Sequence, residues 1–197
     1  MINSGPDPET NETGGWTDFN QADDCCQGGT NAPDVSDKIC GEKNEKEIVP
    51  GNMATNGGEI QSAFNKLIGC WNEITGKINS WNVTVPVVTC PSNNLGTCEK
   101  VVGAVNIDIV WITAGGEDPG YNDAPTEMDD WSSDDDDGQV RWNSFVEHFN
   151  LLNADGNPAE YMKKCIYFKP DCSYHEPTGH SGNRNFGVMA KIPRLVK

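Results

Sequence analysis

The clearest signal in the chain is an alternation of apolar and polar positions between Trp81 and Thr113. Trp81, Val83, Val85 and Val87 stand at every second position, with Asn82, Thr84 and Pro86 between them. A period of two predicts a half-buried strand. Beyond a polar loop, Val101, Val105, Ile107, Ile109 and Trp111 share one face of a second strand. Val102, Ala104, Val110 and Ile112 occupy its other face. That strand is predicted to be covered on both sides for part of its length. Cys90 and Cys98 stand at the two mouths of the loop, and the pattern predicts a β-hairpin closed by a Cys90–Cys98 disulfide.

Two stretches carry a helical period instead. Ile60, Phe64, Leu67, Trp71 and Ile74 recur at spacings of four and three, one stripe of an amphipathic helix. Asn56 with Glu59 makes a capping box ahead of it, and Gly69 either ends the helix or weakens it. Trp142, Phe145, Val146, Phe149 and Leu152 predict a second helix. The acids before it suit a helix N-terminus, and Asn153 to Pro158 stop it. A short turn then leads to Ile166, Tyr167 and Phe168, bracketed by Cys165 and Cys172. At the C-terminus Phe186, Val188, Ala190 and Ile192 alternate again. They predict a last strand within 184–196 returning to the hairpin. Residues 1–50 hold almost no periodicity, with Trp16 and Phe19 as isolated anchors.

The fold class predicted is α+β: a mainly antiparallel sheet with one or two packed helices, loop-rich and stapled by disulfides. Residues 1–50 form an irregular Cys-stapled segment. Residues 51–197 form the α+β domain, with an acidic insertion at about 114–180.

The 197 residues suit one domain, and thirty acidic against fourteen basic side chains give a net charge of −16. Such a field repels phosphate backbones and anionic lipid, which disfavours nucleic acid and bare membrane as partners. Eight cysteines without a CxxC or CxxCH motif favour disulfides over zinc ribbons, thioredoxin-type redox work or attached haem. With Cys165–Cys172 as a second bridge, Cys25, Cys26, Cys40 and Cys70 remain. Adjacent cysteines rarely pair, so Cys25 and Cys26 are each expected to reach Cys40 or Cys70. Disulfides on this scale imply an oxidising compartment, extracellular or at the cell surface. No signal peptide or membrane span is visible, so an export or anchoring segment is expected to have been removed ahead of Met1. Asn11-Glu12-Thr13 and Asn82-Val83-Thr84 fit the glycosylation sequon, a match too common to weigh.

Candidate chemistry is thin. Residues 117–137 carry ten acids and no basic residue lies between Lys100 and Arg141. Asp129, Asp130, Asp134, Asp135, Asp136 and Asp137 are the candidate calcium ligands. An EF-hand register that sets Gly138 at position 6 leaves Ser133 and Ser144 at the charged ends, so a solvated acidic loop is the plainer reading. Cys165, Cys172, His175 and His180 have a spacing that matches no common zinc module. Gly179-His180-Ser181-Gly182-Asn183 departs from the G-x-S-x-G elbow at its last position, and no strand precedes it. His148, between Phe145 and Phe149, reads as a surface or boundary residue. No catalytic residue is assigned, and a secreted hydrolase is the least favoured class.

Three pieces in order resemble a known family. They are Pro50-Gly-Asn-Met with Ile60-Gln-Ser-Ala-Phe-Asn-Lys-Leu-Ile68, then Val83-Thr-Val-Pro-Val-Val with Val101-Val-Gly-Ala-Val, then Gly187-Val-Met-Ala-Lys-Ile-Pro-Arg-Leu-Val. Together they resemble the C-terminal exported region of TadE/TadG-like Flp-pilus assembly proteins of bacteria, over about 80 residues. The resemblance implies a non-enzymatic cell-surface protein of the pilus-assembly and adherence type. It implies protein–protein contacts, including self-association into an oligomer or filament, and a membrane helix ahead of the exported region. It carries over no catalytic residue and no cofactor, and the D-x-S-x-S metal motif of some longer relatives is absent here. The alternative is a calcium-dependent adhesive or carbohydrate-binding module built on the acidic loop.

Overall fold

A strand of fifteen residues, Cys98–Ile112, is the spine to which the other elements attach. A computed structural model describes residues 2–3, 15–21, 30–41, 49–57, 60–89, 95–113, 120–153 and 155–171. In chain order the elements are β1 (Ile2–Asn3), α1 (Ala32–Lys38), β2 (Gly51–Ala54), α2 (Gln61–Thr75), β3 (Trp81–Val88), β4 (Cys98–Ile112), β5 (Glu127–Met128), β6 (Trp131–Ser132), α3 (Gly138–Phe149) and β7 (Cys165–Pro170). This is the α+β class that the periodicities predict.

β3 and β4 form the expected antiparallel hairpin, from Trp81 opposite Ile109 to Val88 opposite Val101. The other edge of β4 is shared end to end. β2 takes Cys98 to Val101, and β7 takes Ile107 to Ile112. β1 adds antiparallel to β7. The register between β4 and β7 slips between Ile109 and Trp111, leaving Val110 as the extra residue of a bulge. Ile109 through Ile112 are consequently all buried, so the expectation of cover on both sides holds for the C-terminal third of β4. Further back the sheet is one-sided. Trp81, Val83 and Val85 pack on the core. Asn82 and Thr84 face out and bond Asp108 and Asn106 across the hairpin.

Both longer helices lie on the face of β4 that carries Trp111. Its ring meets Trp71 of α2 edge-on at 5.0 Å and Phe145 of α3 at 6.0 Å. Trp142 packs against Phe145 and Tyr167 at 5.5 and 4.7 Å. Each such ring pair contributes about 0.5–1.5 kcal/mol beyond the area it buries. Met128, Trp131, Trp142, Phe145 and Tyr167 belong to this cluster. The stretch expected as an insertion therefore supplies much of the domain core. A smaller cluster joins Val35 and Ile39 to Ile60, Ala63 and Cys70 on the flank of α2.

Local signals explain most boundaries. α2 ends where Gly76 turns left-handed (φ 62°) and its N–H bonds Asn72 O, a conformation that glycine adopts without strain. The expected capping residue Asn56 is not the N-cap of α2, which is Ile60. Glu59 lies outside the described residues, Asn56 pairs with Trp16 in an isolated bridge, α2 begins at Gln61 without a side-chain cap, and Gly69 is interior. The N-terminal segment, expected to be irregular, contains α1. Asn31 accepts from Asp34 N as its N-cap, and a proline stands in its first turn.

The cysteines only partly follow expectation. Cys40 is bonded to Cys70, with Cα atoms 5.6 Å apart, so neither is the partner of Cys25 or Cys26. The physical reason is local: α1 lays its Val35 face on α2, and the chain leaving it delivers Cys40 to the buried Cys70. Cys98 is disulfide-bonded, and its expected partner Cys90 lies outside the described residues, as do Cys25, Cys26 and Cys172. The expected Cys165–Cys172 bridge does not fit the course of the chain: Cys165 is buried at the start of β7. β7 runs extended from Cys165, and Asp171 N still bonds Asn106 O. Six extended residues cover roughly 20 Å, against the ~7 Å between Cα atoms that a disulfide tolerates. The expected last strand, 184–196, also lies outside the described residues, and β7 fills the place beside β4.

Candidate functional site

The strongest concentration of charge is the acidic segment before α3, and its carboxylates have local backbone duties. Asp129 and Asp130 form the two-residue turn of the β5–β6 hairpin, Asp129 with φ 46°. Short polar residues tolerate that left-handed conformation better than others. Asp130 Oδ1 lies 2.9 Å from Nε2 of His148 on α3. That hydrogen bond holds the Asp130 carboxyl below its ordinary pKa, helped by its own backbone. The contact ties the hairpin turn to the helix, as does the 3.2 Å bond from Trp131 Nε1 to Ser144 Oγ.

Asp135 Oδ1 accepts from Asp137 N at 2.8 Å, and Asp137 Oδ1 accepts from Gln139 N at 2.8 Å and Val140 N at 3.4 Å. Asp137 is thus the N-cap of α3, in contact with the helix dipole. Gly138 follows because a Cβ there would collide with the carbonyl oxygen of Tyr121.

Arg141 completes the arrangement. It is 8% exposed, yet among the described residues its guanidinium meets carbonyls rather than carboxylates. Nη1 donates to Asp135 O at 2.8 Å and Asp136 O at 3.3 Å. Nη2 donates to Asn122 O at 3.1 Å and Ala124 O at 3.4 Å. The planar fork suits four acceptors converging from two loops. An open depression of 570 Å³ lies beside it, lined by Glu127, Ser133, Asp134, Asp135 and Asp136 among others.

Among the described residues no three His, Cys, Asp or Glu side chains converge as a metal-binding group. The candidate ligands divide between the hairpin turn (Asp129, Asp130) and the helix entry (Asp134 to Asp137). The carboxylate of Asp137 is engaged by the helix and the carbonyls of Asp135 and Asp136 by Arg141, whose positive charge opposes a dication nearby. The sequence signal for this role was the run D-D-D-D-G ahead of an apolar helix with the first basic residue four positions after the last Asp. The tether through Arg141 had no sequence signal.

Tyr167 anchors a second polar network inside the core. Its hydroxyl donates to Glu160 O at 2.6 Å and accepts from Met162 N at 2.7 Å. Thr113 Oγ1 lies alongside, donating to Met162 O at 2.6 Å and accepting from Cys165 N at 2.8 Å. Burial raises the hydroxyl pKa of Tyr167 well beyond the usual tyrosine range and pushes that of Tyr161 up to about 12. Both phenols are neutral at physiological pH and serve to position the loop 159–164.

Comparison of the chain with protein-family models, with curated proteins and with solved structures returned no match.

Proposed function

We propose that this is an exported, non-enzymatic domain that acts through protein–protein contacts at the bacterial cell surface, as a component of a pilus-assembly or adherence system. The observation that carries the reading is the Cys40–Cys70 disulfide, accompanied by the disulfide at Cys98. Structural disulfides persist in oxidising compartments and are rare in the cytosol. The resemblance of residues 50–68, 83–105 and 187–196 to TadE/TadG-like proteins supports the pilus-assembly part of the reading. The outer sheet face supports the contact part. Asn82, Thr84, Asn106, Asp108 and Asp171 form a polar, hydrogen-bonded surface there, of the kind that docks another protein rather than encloses a small substrate.

The test is immunogold labelling of intact cells with an antibody raised against the folded domain. Label on surface filaments, or at their bases, is the expected result. Label that appears only after permeabilisation would contradict export.

A further inference from the structure

We infer that the outer edge of β3 is the docking site for residues 185–192 of the same chain, added as an antiparallel strand. The inference goes beyond the functional reading and does not depend on it. β4 has both edges occupied, by β3 on one side and by β2 and β7 on the other. β3 pairs over its whole length with β4, and among the described residues its other edge carries no strand. Alternate residues of β3 turn their backbone N–H and C=O groups toward that edge, a template that proteins cover or blunt. Pro86 lies within β3 and has no N–H, so the added ladder leaves that one position without a donor.

The occupant follows from pattern, charge and reach. Phe186, Val188, Ala190 and Ile192 repeat the period of Trp81, Val83 and Val85, so one face of the added strand would extend the apolar face of the hairpin. Glu176 is the last acid in the sequence. Arg184, Lys191, Arg194 and Lys197 follow it, four of the fourteen basic residues, so the rest of the chain sets ten cations against thirty carboxylates. Residues 177–197 therefore carry four cations and no acidic side chain on a strongly anionic chain. Asp108 and Asp171, both bonded to Asn82, place two of those carboxylates on the outer face beside β3.

Reach is ample. Asp171 is held opposite Asn106, about 15 Å from a strand added outside β3, three strand spacings away. Residues 172–184 can extend to roughly 40 Å. β7 and β3 both run antiparallel to β4, so the segment needs only to turn back along β3 from its Val88 end. A linker of this length gives an effective concentration in the millimolar range, which favours the edge of the same molecule over that of a second copy.

Hydrogen exchange on the full chain, followed over a dilution series, tests the inference. The expected result is slow exchange in both 82–88 and 186–192, unchanged by dilution. Val188→Pro should accelerate exchange in β3 by about tenfold or more while leaving α3 protected. Lys191→Glu, which spares the backbone, should weaken the same protection, and added salt should reduce it in the parent chain. Exchange of 186–192 at the rate of an unfolded peptide would overturn the inference. So would protection that disappears on dilution, because that would make a second copy the occupant.

Discussion

Arg141 joins two loops that the sequence gives no reason to connect. Its four carbonyl acceptors belong to residues 122, 124, 135 and 136, and together they fix the acidic segment against α3. Arg141→Met keeps much of the bulk but leaves those acceptors without a donor, each at a desolvation cost. The expected loss is about 3 kcal/mol in chemical denaturation, in the range of broken buried networks. Arg141→Lys should recover little of it, since an ammonium cannot span four converging carbonyls. The tyrosines give a pH dependence. Tyr161 and Tyr167 have folded-state pKa values raised by burial, above the value near 10 of an exposed tyrosine. Their stabilisation is therefore complete below about pH 10 and lost as the pH rises through the folded values. Melting temperature should fall steeply above pH 10, and the phenolate absorbance contributed by Tyr161 and Tyr167 should rise only with unfolding. Tyr167→Phe should cost about 1–2 kcal/mol at neutral pH through its two lost hydrogen bonds and make the alkaline fall shallower.

At the scale of elements, legibility followed periodicity. The β3–β4 hairpin and both longer helices could be read because each buries one face against a common core. α1 was missed because seven residues offer only Val35 to a periodic count; Asn31 and the adjacent proline were its usable signal. β2 was missed for the same reason, since only Met53 and Ala54 of its four residues are buried. The bulge at Val110 shows in sequence only as a run of apolar residues, which strand alternation cannot place. Asn56 does not cap α2, which starts only at Gln61; its backbone pairs with Trp16, a tertiary contact that a local motif does not reveal. The cysteine pairing could not be settled by counting, because it depends on where α1 docks. Two substitutions test these elements. Asp137→Ala should destabilise by about 1 kcal/mol as a lost N-cap. Cys40→Ser with Cys70→Ser opens a bridge spanning 30 residues, worth roughly 3.5 kcal/mol in the chain-entropy picture. Its expected effect is a lower melting temperature with α1 exchanging first.

For the whole molecule, the net charge of −16 opposes compaction, and screening relieves it. Moderate salt should raise the melting temperature. Calcium titration is expected to give no saturable heat, because the carboxylates of Asp130 and Asp137 are already engaged and Arg141 sits beside the depression. A saturating heat with a matching rise in melting temperature would instead favour the calcium-dependent reading. Export is the claim on which the functional reading stands, and disulfide mapping of unreduced protein from its native cells tests it most directly. Surface or extracellular material should yield a Cys40–Cys70 cross-linked peptide, with Cys98 also protected from alkylation. Recovery of the protein from the cytosol with Cys40, Cys70 and Cys98 all open to alkylation would contradict it.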